Sequence, residues 1–322
     1  LVLVNLLPIV LFLMMKKNTP LFLFLLVGLT INAQWRNTTP FNSELFDITF
    51  TDQYNGYATG QTGAIGNCSG YELSLYKTID AGKNWIRIKS GTTEQIRAVH
   101  FASQLVGWTA GASSEILKTT DGGITWNQVN YGVGSGYNDI WFRDLNNGFV
   151  LGDNGMLRKS TNGGSSWQTI ASGVTSTLKK IHFYDNNLGF VVCSDGKLLK
   201  TINGGSSWTI VNTGATWGAD VFFTSTTNGY YMASSSGTNY IYRTTDGGAN
   251  WTAMPINYSY LRRLFFTSDT VGYIITWGFG VLKTTDGGAT WNQIMTMNGI
   301  DDNWSGIHFT DDNTGYISGK LG

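Results

Sequence analysis

From about residue 43 onward, apolar and polar positions alternate in short runs, and nowhere do they recur at helical spacing over three turns. IRAVHF (96–101), VGWTAG (106–111), EILKTT (115–120) and ITWNQV (124–129) are four such runs. Gly-containing turns separate them, as antiparallel hairpins require. The four-run unit then returns along the chain. One series of tryptophans, Trp85, Trp126, Trp167, Trp208, Trp251 and Trp291, has gaps of 41, 41, 41, 43 and 40 residues. A second series pairs a Phe with a Gly-aromatic step six residues on, from FTDQYNGY (50–57) and FASQLVGW (101–108) to FTDDNTGY (309–316). Seven copies of this half and six of the Trp half are present.

A four-stranded unit of about 40–45 residues repeated around an axis is a β-propeller blade. The pattern predicts an all-β, seven-bladed β-propeller with four antiparallel strands per blade. The blades fall near 45–88, 96–129, 138–170, 178–211, 218–254, 261–294 and 304–322. QWRNTT (34–39) reads as an orphan fourth strand that closes the ring against the last blade. That last blade is expected to be incomplete, lacking its third strand and what followed it.

The Trp series ends a recurring box, KTTDGGITW (118–126) in its fullest form. An Asp side chain there would accept nearby backbone N–H groups, the glycines would take positive φ, and the Trp would bury a large surface with its N–H free to find a carbonyl. Two copies carry Asn162 and Asn203 where the others carry Asp80, Asp121, Asp246 and Asp286. Asn keeps the turn acceptor and loses the charge, so the box reads as a structural hairpin and not as a catalytic acid.

Composition adds three things. The formal net charge is zero, with no basic run, which argues against a nucleic-acid partner. The cysteines, Cys68 and Cys193, make no metal or redox motif and are expected to be free or buried thiols. Residues 15–33 have a Lys16-Lys17 start, an apolar Leu21–Ile31 stretch and a small residue at Ala33, the features of a secretory signal peptide cleaved after about Ala33. Membrane contact would then be transient, the product would be secreted or at the outer surface, and 34–322 would be a single propeller domain. Residues 1–14 read as an upstream segment from a start assigned too early.

The boxes resemble the Asp-box, or bacterial neuraminidase repeat. One box per blade with a Phe–Gly–aromatic half resembles the photosystem II assembly-factor type. That resemblance implies a non-enzymatic, protein-binding propeller. Such propellers also occur in secreted Bacteroidetes proteins ahead of a type IX sorting domain. The Arg-Ile-Pro motif of sialidases has no counterpart, since Ile86-Arg87-Ile88 lacks the Pro.

Function is therefore expected on the face opposite the boxes. Tyr131, Tyr137, Trp217, Tyr258, Tyr260 and Trp304 are loop aromatics that would stack on a sugar or anchor a peptide, or simply lid the core. Counting back from the repeat Phe, Arg97, Lys179–Lys180 and Arg262–Arg263 alternate with Asp47, Asp139 and Asp220, so the mouth of the channel should carry alternating charge. His100, His182 and His308 share a slot with aromatics and read as packing, not as metal ligands. No cofactor is implied. The main reading is a monomeric scaffold that binds protein or glycan. The alternative is a glycoside hydrolase, for which the three aspartates are the best carboxylates.

Overall fold

The computed structural model describes residues 2–5, 34–37, 43–62, 72–92, 95–112, 115–131, 136–296, 303–312 and 314–320. Every regular element among them is a strand. Six sheets are each made of four consecutive antiparallel strands in simple order, and these are blades one to six. Blade two, for example, runs Ile96–Phe101, Gly107–Gly111, Glu115–Thr119 and Asn127–Tyr131. A further four-stranded sheet joins both chain ends: Asn303–Phe309 is innermost, then Thr314–Lys320, Val2–Asn5 and Gln34–Asn37. The strand expected to close the ring thus lies at the outer edge of this sheet. The third place, expected to be empty, holds Val2–Asn5, paired with Thr314–Ile317 and with Gln34–Asn37. The expected signal peptide, most of the 60–74 insertion and Cys68 lie outside the described residues.

The Phe–Gly–aromatic half explains the joints between sheets. Phe101 lies over Gly107 of the next strand, where an added Cβ would sit 2.6 Å from the ring. Its face stacks on Tyr57 of the preceding blade, centroids 3.9 Å apart. Its edge meets the box tryptophan of its own blade, Trp126, at 6.0 Å. Trp108–Phe142, Phe190–Phe223, Tyr230–Phe266 and Tyr273–Phe309 repeat the stack at 3.6, 4.3, 3.8 and 4.1 Å. Tyr316–Phe50, at 3.8 Å, joins the sheet of the chain ends to blade one.

The box hairpins form as turns, with a longer reach than the sequence implies. The Thr119 hydroxyl donates to Asp121 Oδ1 (2.8 Å) and accepts from Gly123 N (2.8 Å). Asp121 Oδ1 accepts from Thr125 N, four residues on rather than one or two, at 2.9 Å. Gly122 and Gly123 take φ of 69° and 82°. Asn162 reproduces the acceptor, taking Ser166 N at 2.9 Å and the Ser160 hydroxyl at 3.1 Å. Asn203 does the same with Ser207 N at 3.0 Å. The box indoles behave differently from expectation. Only Trp85 donates to a carbonyl, Gly82 O at 3.1 Å. The indole N–H groups of Trp126, Trp167, Trp208, Trp251 and Trp291 are buried without a hydrogen bond. The aromatics after the repeat Gly do the cross-blade bonding instead: Tyr57 donates to Gly122 O (2.7 Å) and Trp108 to Gly163 O (3.1 Å).

Candidate functional site

Each box turn bonds to the first hairpin turn of its own blade, as Gly122 N does to Leu105 O and Gly163 N to Asn146 O. The second turns bond to the start of the inner strands, as Ala112 N does to Gln95 O and Trp277 N to Tyr260 O. The inner strands therefore begin on the face opposite the boxes, where a ligand site was expected.

Every inner strand carries a register shift at the same place, four residues before its Phe. The unpaired residue is Arg97, Lys179 or Arg262 in blades two, four and six. It is Phe46, Asn138 and Ala219 in blades one, three and five, and Ser305 in the sheet of the chain ends. A bulge re-aims a side chain at the rim of a sheet. Here all seven of these residues line one cavity of about 420 Å³ at the mouth, together with Gln95, Thr177, Trp217, Leu261 and Arg263.

The next residue along, Asp47, Asp139, Lys180, Asp220 or Arg263, belongs to a second tier, lining a smaller cavity of about 170 Å³ deeper in the channel. This corrects the expectation of alternating charge at the mouth. The bulge separates positions that counting along the sequence merges. The carboxylates lie deeper and are each engaged with the next blade: Asp47 accepts Val99 N (3.1 Å), Asp139 accepts Ile181 N (3.0 Å) and Asp220 accepts Leu264 N (3.0 Å). Asp139 also pairs with Lys180 at 3.1 Å. Burial raises the carboxyl pKa of Asp139 and of Asp220, opposed by the nearby Lys180 and Arg263. Carboxylates committed to neighbouring backbone act as inter-blade clasps.

The histidine slot lies one tier further in and works the same way from the intervening blades. His100 Nε2 donates to Phe142 O at 2.8 Å, and His182 Nε2 accepts from Phe223 N at 3.1 Å. His308 stacks on Phe50, centroids 5.8 Å apart. Burial pushes all three imidazoles down to about 4. No cluster of metal-ligating side chains occurs among the described residues.

The mouth itself is cationic. Arg97 donates to Asn138 Oδ1 (2.8 Å), and Lys179 Nζ donates to Gly218 O (2.8 Å). Lys179 Nζ also sits 3.9 Å from the centre of the Trp217 ring, and the Arg262 guanidinium 5.3 Å from that of Trp277. Arg262 Nε is buried without a hydrogen bond. None of the ion pairs among the described residues involves Arg97, Lys179 or Arg262. Burial, then repulsion from Arg263 and Arg262, holds the Lys179 amine down at about 8. Burial and Arg263 lower the pKa of Arg262 as well.

The aromatic candidates separate. Trp217 and Tyr260 are exposed on this face. Tyr137 and Trp304 are buried in the core, and Tyr258 packs half-buried against the cluster of blades five and six. Tyr131 ends the outer strand of blade two, and its side chain lies outside the described residues. Trp277 and Phe279, absent from the sequence candidates, are exposed at the second turn of blade six. They sit in TWGFG (276–280), whose turn glycines were the available signal. Asn138, Phe46 and Ser305 were also missed, because their role depends on the bulge.

A family model described as "Photosynthesis system II assembly factor YCF48" matches residues 125–258. The structure of YCF48 bound to a D1 peptide superposes with a TM-score of 0.71 at 18% identity, covering 89% of this chain and 93% of that one. The fold is a β-propeller like that of the YCF48 assembly factor. YCF48 from Cyanidioschyzon merolae gives a TM-score of 0.68 at 17% identity, over 88% of this chain and 95% of that one. A GH74 enzyme from Niastella koreensis gives 0.59 at 12%, over 90% of this chain and 67% of that one. A search of curated proteins finds no match. At these identities the solved structures establish the fold alone.

Proposed function

We propose that this propeller is a non-catalytic binding module that takes an acidic stretch of polypeptide at its cationic mouth. The observation that carries the reading is the cavity of about 420 Å³ lined by Arg97, Lys179 and Arg262, with no carboxylate among its described lining residues. An anion entering there favours the charged form of Lys179, which burial and then repulsion from Arg263 and Arg262 disfavour, and finds Arg262 Nε without a partner. The similar propeller solved with a D1 peptide supports a polypeptide ligand over a glycan. On the same reading, the sheet of both chain ends is the seventh blade, and the segment 15–33 directs the chain out of the cytoplasm.

The test is binding of labelled acidic and basic peptides by fluorescence anisotropy. Arg97→Glu with Arg262→Glu should weaken binding of the acidic peptide at least tenfold and steepen none of its salt dependence. Because bound carboxylate favours the charged amine, binding near pH 8 should take up protons, readable as a buffer-dependent calorimetric heat. Equal binding of acidic and basic peptides would sink the reading.

A further inference from the structure

Beside the mouth, on blade six, three aromatics are exposed: Tyr260 at the start of the inner strand, and Trp277 and Phe279 in the second turn. Tyr260 is 61% exposed, Phe279 42% and Trp277 37%. Tyr260 also takes φ of +54°, a conformation that a bulky L side chain rarely adopts. Its carbonyl accepts Trp277 N at 2.9 Å, which ties the two aromatic residues together. Backbone held in a disfavoured region without core packing in return is a mark of a functional position.

The rings form a corner, not a platform. Tyr260 and Trp277 have centroids 5.3 Å apart with planes at 62°. A sugar ring needs a flat open face. A third aromatic ring fits a corner, face to one wall and edge to the other, because aromatic quadrupoles favour both contacts. The Arg262 guanidinium over Trp277 connects this corner to the cationic cavity. A ligand carboxylate on Arg262 therefore brings its neighbouring side chain to the corner.

Resting on the polypeptide reading above, we propose that Tyr260 and Trp277 form a second subsite, which selects an aromatic side chain next to the acidic residue seated on Arg262. The ligand is then an acidic segment bearing a Phe, Tyr or Trp. The mouth reads both features from one side of the ring.

Three fluorescein-labelled heptapeptides test this: a Glu-rich one with Phe at its centre, the same with Ala, and the Phe peptide with Gln for Glu. The expected result is roughly tenfold tighter binding of the Phe than of the Ala peptide, of the order reported for aromatic pairs. Trp277→Ala and Tyr260→Asn should each bring the ratio of Phe-peptide to Ala-peptide affinity to about one, whatever Trp277→Ala does to both through Arg262; Asn tolerates the positive φ, so the second variant keeps the turn. Equal affinity of wild type for the Phe and Ala peptides, or a preference that survives both variants, overturns the subsite and leaves the acidic-ligand reading standing. Failure to bind either Glu-rich peptide, or undiminished binding of the Gln peptide, overturns that reading and the subsite with it.

Discussion

Gly107 and Asp121 show how single residues hold the repeat. Gly107 has no room for a methyl group, because the Phe101 ring lies 2.6 Å from where the Cβ would be. That ring is itself held between Tyr57 and Trp126 and has nowhere to move. Gly107→Ala is expected to cost about 1–3 kcal/mol, as overpacking does, read as a lower urea midpoint at an unchanged slope. Asp121 is half-buried at the turn, and the hydroxyl and backbone N–H of Thr125 hold its carboxyl down at about 2. Its folded pKa is below the ordinary aspartate value of 3.8, so its contribution is present above that value and is lost as pH falls towards 2. Asp121→Asn should lower the melting temperature less than Asp121→Ala, because Asn162 and Asn203 already fill this role elsewhere in the ring. Equal losses would show that the charge, not the acceptor, matters. Both residues were legible in the sequence. A Gly six residues after a Phe and a hydroxyl two before an Asp recur in register, and recurrence at one period marks a local contact.

At the scale of the inner strand, the bulge decides what each side chain does. One extra residue turns Arg97, Lys179 and Arg262 to the mouth in blades two, four and six, and in blades one, three and five it sets Asp47, Asp139 and Asp220, each one residue past the bulge, in the next tier. Sequence counting placed both sets on the same rim, since a bulge leaves no residue signature of its own: Phe46, Asn138 and Ser305 occupy it as well as cations do. Below the mouth lie two tiers of clasps between blades: Asp47, Asp139 and Asp220 accept backbone N–H groups of the next blade, and one tier further in His100 donates and His182 accepts. His100, His182 and His308 are held near 4 by burial, against the ordinary histidine value of 6.5. Between about pH 6.5 and 4 the unfolded chain takes up protons that the folded one refuses, so stability should fall as pH drops through that window. Urea unfolding at pH 7 and pH 5 measures it. His182→Gln keeps an acceptor for Phe223 N and does not titrate, so it should shrink the difference between the two midpoints. A midpoint independent of pH across the window would rule the clasp histidines out as the cause.

The whole molecule depends on its ends meeting. Tyr316 stacks on Phe50 as each blade stacks on the next, and Ser305 donates to Leu45 O across the same junction. Phe50→Ala removes a ring buried against Tyr316 and Trp85 and is expected to cost about 3–5 kcal/mol by equilibrium unfolding. A loss below about 1 kcal/mol would mean that the ring is held without that joint. The sequence by itself determined the strands, their grouping in fours, the blade period and the structural role of the box, because each rests on contacts within one repeat or between successive repeats. Only the tertiary structure decided that Val2–Asn5 lies between Thr314–Lys320 and Gln34–Asn37. It alone decided that the mouth is cationic over a deeper tier of clasped carboxylates, and that Tyr260 meets Trp277 in a corner beside Arg262. Those features arise where different repeats converge on one axis, and the distance between residues there is set by ring geometry and bulges, which the order of residues along a single strand does not record.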